Sequence, residues 1–77
     1  MPHVIVKLWP GRTEEQKHAL AVKITDALKE TMGASDNSIS IAIEEIPKLE
    51  WKDKVYDPEI IARMDALYKK PDYSPPE

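Results

Sequence analysis

Ile39-Ser40-Ile41-Ala42-Ile43-Glu44-Glu45-Ile46 alternates with a period of two, placing Ile39, Ile41 and Ile43 on one face and Ser40, Ala42 and Glu44 on the other. Side chains of an extended chain point alternately to opposite faces, so this spacing predicts a strand over 39–46. Pro47 ends it, because proline has no amide to give to a ladder. Upstream, His3-Val4-Ile5-Val6-Lys7-Leu8 is a second β-branched, apolar stretch, with Val4, Val6 and Leu8 on one face and His3, Ile5 and Lys7 on the other. It predicts a strand over 3–8, stopped by Trp9-Pro10-Gly11.

Between the two strands lies a helical pattern. Thr13-Glu14-Glu15-Gln16 has the spacing of a capping box, in which the Thr13 hydroxyl and the Gln16 amide satisfy orphan backbone amides reciprocally, and the two acids suit the positive end of a helix. Leu20, Ile24, Ala27, Leu28 and Met32 then recur at three- and four-residue steps, predicting one amphipathic helix over 14–32 with Gly33 as its stop. Ala34-Ser35-Asp36-Asn37-Ser38 is turn material. Strand, helix and strand in this order close as a parallel pair through a right-handed crossover. One helix covers one sheet face, and two strands are marginal alone, so the sheet is expected to be extended by another subunit.

The rest of the chain is less regular. Lys48 to Tyr56 is polar with large apolar insertions and reads as a loop or a short helical turn. Asp57-Pro58 reads as an N-cap with proline at the first helical position, and Ile60, Ile61, Met64, Leu67 and Tyr68 mark one face of a helix over 58–70 stopped by Pro71. The tail, 72–77, is expected to be extended. The expectation is a single α/β (α+β) domain spanning 1–77.

Composition narrows the function classes. At 77 residues the chain is too short for a generous core, and with no cysteine and no Cys/His cluster it has neither disulfide nor structural metal to compensate. Oligomerisation is the remaining staple. Fourteen acids and 11 bases are scattered without a basic block, which argues against nucleic acid as a partner. No apolar run approaches the roughly 18 residues of a membrane span, and the N-terminus lacks a signal peptide's regions, so no membrane partner is expected and the default compartment is cytoplasmic. His3 and His18 sit on a strand and a helix without a third ligand, so no metal or other cofactor is expected. Glu44, Glu45, Asp53 and Asp57 are read as solvated faces and a helix cap. His18 is read as a helix-surface residue and His3 as a plain strand residue, although its place beside Pro2 would let it tune a neighbouring amine.

The chemistry concentrates at Met1-Pro2. Removal of Met1 turns the Pro2 nitrogen into a secondary amine at the mouth of an apolar strand. A free α-amino group titrates near ~8, and burial disfavours its charged form, moving it toward a value suited to general-base work at neutral pH. Without further pattern, a proline after Met1 merely starts the chain. Arg12, just ahead of a helix N-terminus, suits a carboxylate, since helix amides and guanidinium can face one anion. Pairing with Glu14, Glu15 or another surface acid is the alternative. Trp51 and Trp9 line a pocket or bury subunit interface, with Trp51 the better pocket candidate. Ile39 and Leu8 are candidate substrate contacts for which a core or interface role is the simpler reading.

Three segments together resemble the 4-oxalocrotonate tautomerase family of the tautomerase superfamily. They are Met1-Pro2, Gly11-Arg12-Thr13-Glu14-Glu15-Gln16-Lys17 at the helix entrance, and Ser38-Ile39-Ser40-Ile41-Ala42-Ile43-Glu44-Glu45. Trp51 to Tyr73, with Lys69-Lys70-Pro71, is similar to the longer bacterial members related to the dimeric phenylpyruvate tautomerase. The resemblance implies a β-α-β protomer whose four-stranded sheet is completed in a dimer, sometimes stacked as a trimer of dimers. It implies an N-terminal proline that moves a proton between the oxygen and carbon ends of an enol without a cofactor. It also implies a carboxylate-binding arginine at Arg12 and an aromatic pocket wall at Trp51. Where the namesake enzyme carries a second arginine, this chain has Ser40, which points away from dicarboxylates and the hydrolytic dehalogenase branch toward a 2-keto monocarboxylate such as an arylpyruvate enol.

Two function classes therefore compete. One is a cofactor-free keto–enol tautomerase, an isomerase, with Pro2 as base and Arg12 as anchor. The other is a non-catalytic oligomeric ligand-binding or assembly domain with a vestigial Pro2. A homodimer is expected over a hexamer, because the extra C-terminal helix would cover the surface on which shorter relatives stack.

Overall fold

The two predicted strands, β1 (His3–Leu8) and β2 (Ser40–Glu45), pair in parallel, in register from His3 against Ser40 to Leu8 against Glu45. This computed structural model describes residues 1–74. The ladder runs one step past each end: the Ser40 amide donates to the Pro2 carbonyl (3.2 Å) and the Ile46 amide to the Leu8 carbonyl (2.8 Å). β2 is one residue shorter at each end than its alternation suggests. At the near end the Ile39 amide is taken by the Asp36 carbonyl, closing a 3-10 turn over Asp36–Ser38.

The crossover is α1 (Glu14–Met32). Its start is the capping box read from the sequence: the Gln16 amide donates to the Thr13 hydroxyl (3.1 Å) and the Thr13 amide to the Gln16 side chain (2.9 Å). Its end needs glycine. Gly33 takes φ 65°, and the amides of Gly33 and Ala34 close on the carbonyls of Lys29 and Leu28. Lys17 ties the helix to the far end of β2 through Glu45 (3.3 Å) while also holding Glu14 (3.3 Å). Partial burial pulls the Lys17 ammonium down, but its hydrogen bonds to Glu45 and Glu14 outweigh that and leave its pKa above the usual lysine value.

The inward stripe of α1 differs from the predicted one. Lys17, Ala21, Ile24, Thr25 and Leu28 are half-buried, whereas Leu20, Ala27 and Met32 are exposed, Met32 by 60%. A helix with its side chains is about 10 Å across and two strands span only about 5 Å, so the protomer's own sheet is narrower than the helix it must cover.

The C-terminal region corrects the expectation of an α-helix over 58–70. A 3-10 turn, Lys48–Glu50, leads directly into a wide π-type helix over Lys52–Ile60, followed by 3-10 winding over Ile61–Ala66 with a kink at Arg63; Leu67 is extended. Two local causes are visible. Asp57 does not cap a helix start; its carboxylate binds the Lys52 ammonium (2.7 Å), a contact that raises the lysine's pKa. Pro58 therefore falls inside the helix, where it has no amide to donate and where α-helical winding would drive its ring into the carbonyl four residues back. The helix is joined to the uncovered sheet face by an ion pair between Lys7 and Glu59. The tail expected over 72–77 is described only to Ser74, and Pro75 to Glu77 lie outside the described residues.

Packing within the protomer is thin. Among the described residues only Val55 is buried, at 6% exposure, while Ile5 on the sheet face away from α1 is 50% exposed and Leu49 85%. The radius of gyration is 14.1 Å, against about 11.5 Å for a compact chain of this length. Accessible surface is 6051 Å², against about 4,800 Å² for a typical monomer of this mass. The excess is of the order of a specific protein interface, and exposed apolar side chains are available to form one on the sheet at Ile5 and on α1 at Leu20 and Val22. The protomer has the form of a subunit whose core is completed by other copies.

Candidate active site

β1 ends in a turn that shapes the main concavity. Leu8, Trp9 and Pro10 lead to Gly11 at φ 124°, a positive value that side-chain-bearing residues rarely adopt, and this bend carries Arg12 to the foot of α1. Leu8, Trp9, Arg12, Trp51, Tyr73 and Lys7 line a groove of about 670 Å³. That lies within the range of small-molecule sites.

Its walls are aromatic and mutually fixed. Trp9 and Trp51 meet edge to face, with ring centroids 6.4 Å apart and planes at 89°. The Lys48 ammonium lies 5.1 Å from the Trp9 ring centre, a cation–π contact. The Trp51 indole N–H donates to the Tyr73 hydroxyl (2.9 Å).

Two cations border the groove, and their states differ. Lys7 is neutralised by Glu59. Among the described residues no ion pair engages Arg12; Glu14, its alternative partner by sequence, is held by Lys17 instead. Arg12 is exposed and follows the turn immediately before Thr13. A guanidinium without a partner among the described residues, at the edge of an apolar groove, has the chemistry to bind a carboxylate.

Of the residues singled out from the sequence, Leu8, Arg12 and Trp51 are thus brought together. Pro2 and Ile39 are not with them. Both are half-buried at the opposite end of the sheet, where the Pro2 carbonyl accepts the Ser40 amide and Ile39 borders a smaller depression against α1 with His18, Thr25 and Asp36. Six residues of strand separate Pro2 from Leu8, roughly 20 Å at the usual rise. Met1 is fully exposed ahead of the strand.

Two features escaped the sequence reading. His3 is more than a plain strand residue: its Nδ1 lies 2.6 Å from the Ser40 hydroxyl, on the exposed face next to Pro2. The predicted strand starts, 3 and 39, would have set His3 beside Ile39; the observed register, with β2 beginning at Ser40, sets it beside Ser40. Tyr73 lies in the stretch expected to be an extended tail, and no periodicity connects it to Trp51, 22 positions away. Among the described residues no group of three or more His, Cys, Asp or Glu side chains could hold a metal ion, and no helix is long and apolar enough to cross a membrane.

Comparison with known proteins adds a third kind of observation. The family profile described as "Tautomerase enzyme" matches residues 2–52. Tautomerase PptA of Pectobacterium carotovorum subsp. carotovorum (strain PC1) is 47% identical over 75 residues, covering 96% of this chain and 99% of the relative. Among solved structures, YwhB, a homologue of 4-oxalocrotonate tautomerase, superposes with a TM-score of 0.60 at 53% identity over 61% of this chain and 77% of its own. TomN, a 4-oxalocrotonate tautomerase homologue of the tomaymycin biosynthetic pathway, gives 0.64 at 28% identity over 83% and 95%.

Proposed function

The chain belongs to the tautomerase family, oligomeric enzymes acting on small molecules, and on that premise we propose that it is a cofactor-free keto–enol tautomerase of 2-keto monocarboxylates, with an arylpyruvate as the fitting substrate class. Met1 is removed, and the freed Pro2 amine is the base. Arg12 binds the substrate carboxylate, and Leu8 and Trp51 enclose the side chain. Ile39 borders the proline end.

The observation that carries this reading is the unpaired Arg12 at the mouth of a slot walled by Trp9, Trp51 and Leu8. Such a slot suits one carboxylate and one flat apolar group. Ser40, exposed and engaged with His3, supplies no second cation for a distal acid. Full exposure of Met1 supports its removal, which disturbs no packing.

The neutral Pro2 nitrogen takes the enol hydroxyl proton and leaves an enolate, whose oxygen pair closes the C2–O carbonyl only as C3 is protonated. The electron pair of the C2–C3 double bond then takes that proton from the Pro2 ammonium at C3, and the amine is regenerated neutral. Arg12 holds the carboxylate through both transfers and offsets negative charge spreading from the enolate. With Met1 attached the same nitrogen is an amide without an available pair, so no step is possible.

Because Pro2 and Arg12 lie at opposite ends of β1, one site combines the proline end of one copy with the arginine end of another. A homodimer joined through its sheets is the smallest assembly that permits this. The cytoplasm is the assigned compartment.

The test is phenylpyruvate ketonisation by protein whose N-terminus has been checked by intact mass. Native protein lacking Met1 should be active, and Pro2→Ala should lose about 10²- to 10⁴-fold in kcat, the range of general-base contributions. Equal rates for the two, or activity in a preparation fully retaining Met1, would remove Pro2 from the mechanism.

A further inference from the structure

We propose that Tyr73 is a positioning residue of the groove: its hydroxyl, by accepting the Trp51 indole N–H, fixes the width of the slot that receives the aryl end of a carboxylate bound at Arg12. This rests on the substrate reading above and extends it to a residue outside the β-α-β unit.

Trp51 needs more than one contact to hold its plane. It stands between the Lys48–Glu50 turn and the Lys52–Ile60 helix, half-buried, and lines the groove. Edge-to-face contact with Trp9 fixes one direction of the ring, and such contacts alone tolerate a range of tilts. The 2.9 Å hydrogen bond to Tyr73 supplies a second, directional constraint at the indole nitrogen. Two constraints hold the plane.

Tyr73 is itself held. Its ring meets that of Tyr56 with centroids 5.7 Å apart and planes at 55°, and the Tyr56 hydroxyl donates to the Tyr73 carbonyl (3.5 Å). Tyr56 belongs to the Lys52–Ile60 helix, so the tail is pinned to the element that follows Trp51. Trp9, Trp51, Tyr73 and Tyr56 form a continuous chain from the β1 exit to the tail. Tyr73 also lines the groove with its own ring and remains 45% exposed, leaving a face for a ligand. A tail that only packed against the fold would affect every ligand alike. A residue that sets the tilt of Trp51 affects ligands according to what they place beside the indole.

The test compares native protein with Tyr73→Phe and Tyr73→Ala, using 3-phenylpropanoate as an aryl carboxylate that binds without reacting and butanoate as its alkyl counterpart. Affinities are read from quenching of tryptophan emission, and turnover from phenylpyruvate ketonisation. Tyr73→Phe, which keeps the ring and loses the acceptor, should weaken 3-phenylpropanoate about five-fold, the size of one neutral hydrogen bond, and should weaken butanoate less. Tyr73→Ala should weaken the aryl ligand further. The loss with phenylpyruvate should fall on KM more than on kcat. Unchanged affinity in Tyr73→Phe, equal weakening of both acids, or a loss confined to kcat overturns the proposal. If native protein binds 3-phenylpropanoate with this dependence on Tyr73 and does not turn over phenylpyruvate, the substrate reading fails and the positioning role stands.

Discussion

Pro2 and Arg12 occupy the two ends of one strand: the Pro2 carbonyl opens the β1–β2 ladder at Ser40, and Arg12 follows the Gly11 turn beyond Leu8. Roughly 20 Å of extended chain runs from Pro2 to Leu8, before the turn that leads to Arg12, several times the span of a 2-keto acid. A base at one and an anchor at the other therefore act on the same molecule only across a subunit boundary. Complementation follows. Pro2→Ala and Arg12→Ala should each be nearly inactive alone. Co-refolded in equal amounts, they should recover about a quarter of native activity by random assortment in a two-fold dimer, because half the dimers are hybrids and each hybrid carries one intact site. A mixture no more active than its parents would place both residues in one protomer's site.

Arg12 has no carboxylate partner among the described residues, so its removal should leave the fold intact and appear in binding. Charge-assisted hydrogen bonds contribute about 1.5–3 kcal/mol, which corresponds to roughly 10- to 150-fold in KM for Arg12→Ala. Arg12→Lys should recover only part, since an ammonium lacks the planar fork that meets two carboxylate oxygens. Steady-state kinetics with phenylpyruvate checks both, and an unchanged KM in Arg12→Ala would rule out the anchor role.

The sequence carried the β-α-β unit nearly residue for residue, because each of its parts is specified by neighbours. Alternation over 39–46, the Thr13/Gln16 box and the stop at Gly33 all operate within a few positions, and the observed bonds are the ones those patterns call for. The C-terminal helix was misplaced by a competition between two local signals. Asp57-Pro58 has the form of a helix start, yet Lys52 captures the Asp57 carboxylate and the helix is already six residues old at Pro58. In the groove, Leu8, Arg12 and Trp51 could be named as types with a purpose. The bond from Trp51 to Tyr73 could not, since it depends on how an irregular tail returns across the fold.

Lys17 gives the monomer's clearest pH dependence. Its pKa is raised in the folded state by Glu45 and Glu14, against the pull of partial burial, above the 10.5 of an unperturbed lysine, so the proton is held more tightly folded than unfolded. The stabilisation is then complete below 10.5 and is lost as pH rises through the higher folded value. Melting temperature followed between pH 8 and 12 should fall more steeply at the alkaline end for native protein than for Lys17→Gln, and the two curves should converge there. Parallel curves would mean that the link between α1 and β2 is too solvated to matter.

Stability should depend on protein concentration. A chain with one buried hydrophobic residue among those described, Val55, and with Ile5, Trp9, Leu20 and Val22 all more than a third exposed has too little internal burial to offset the ordering of its backbone. The missing contribution comes from other copies, whose association enters the folding equilibrium by mass action. For a dimer that unfolds to monomers, each ten-fold dilution weakens folding by about 1.4 kcal/mol of dimer, and for a chain this small the melting temperature moves by several degrees. Calorimetry over a hundred-fold concentration range should show that shift. Ile5→Lys, which places a charge on the uncovered sheet face, should lower the melting temperature at every concentration and move the light-scattering mass toward the monomer. A melting temperature independent of concentration, or an Ile5→Lys protein that keeps the native assembly, would mean that the sheet face is not where the copies meet.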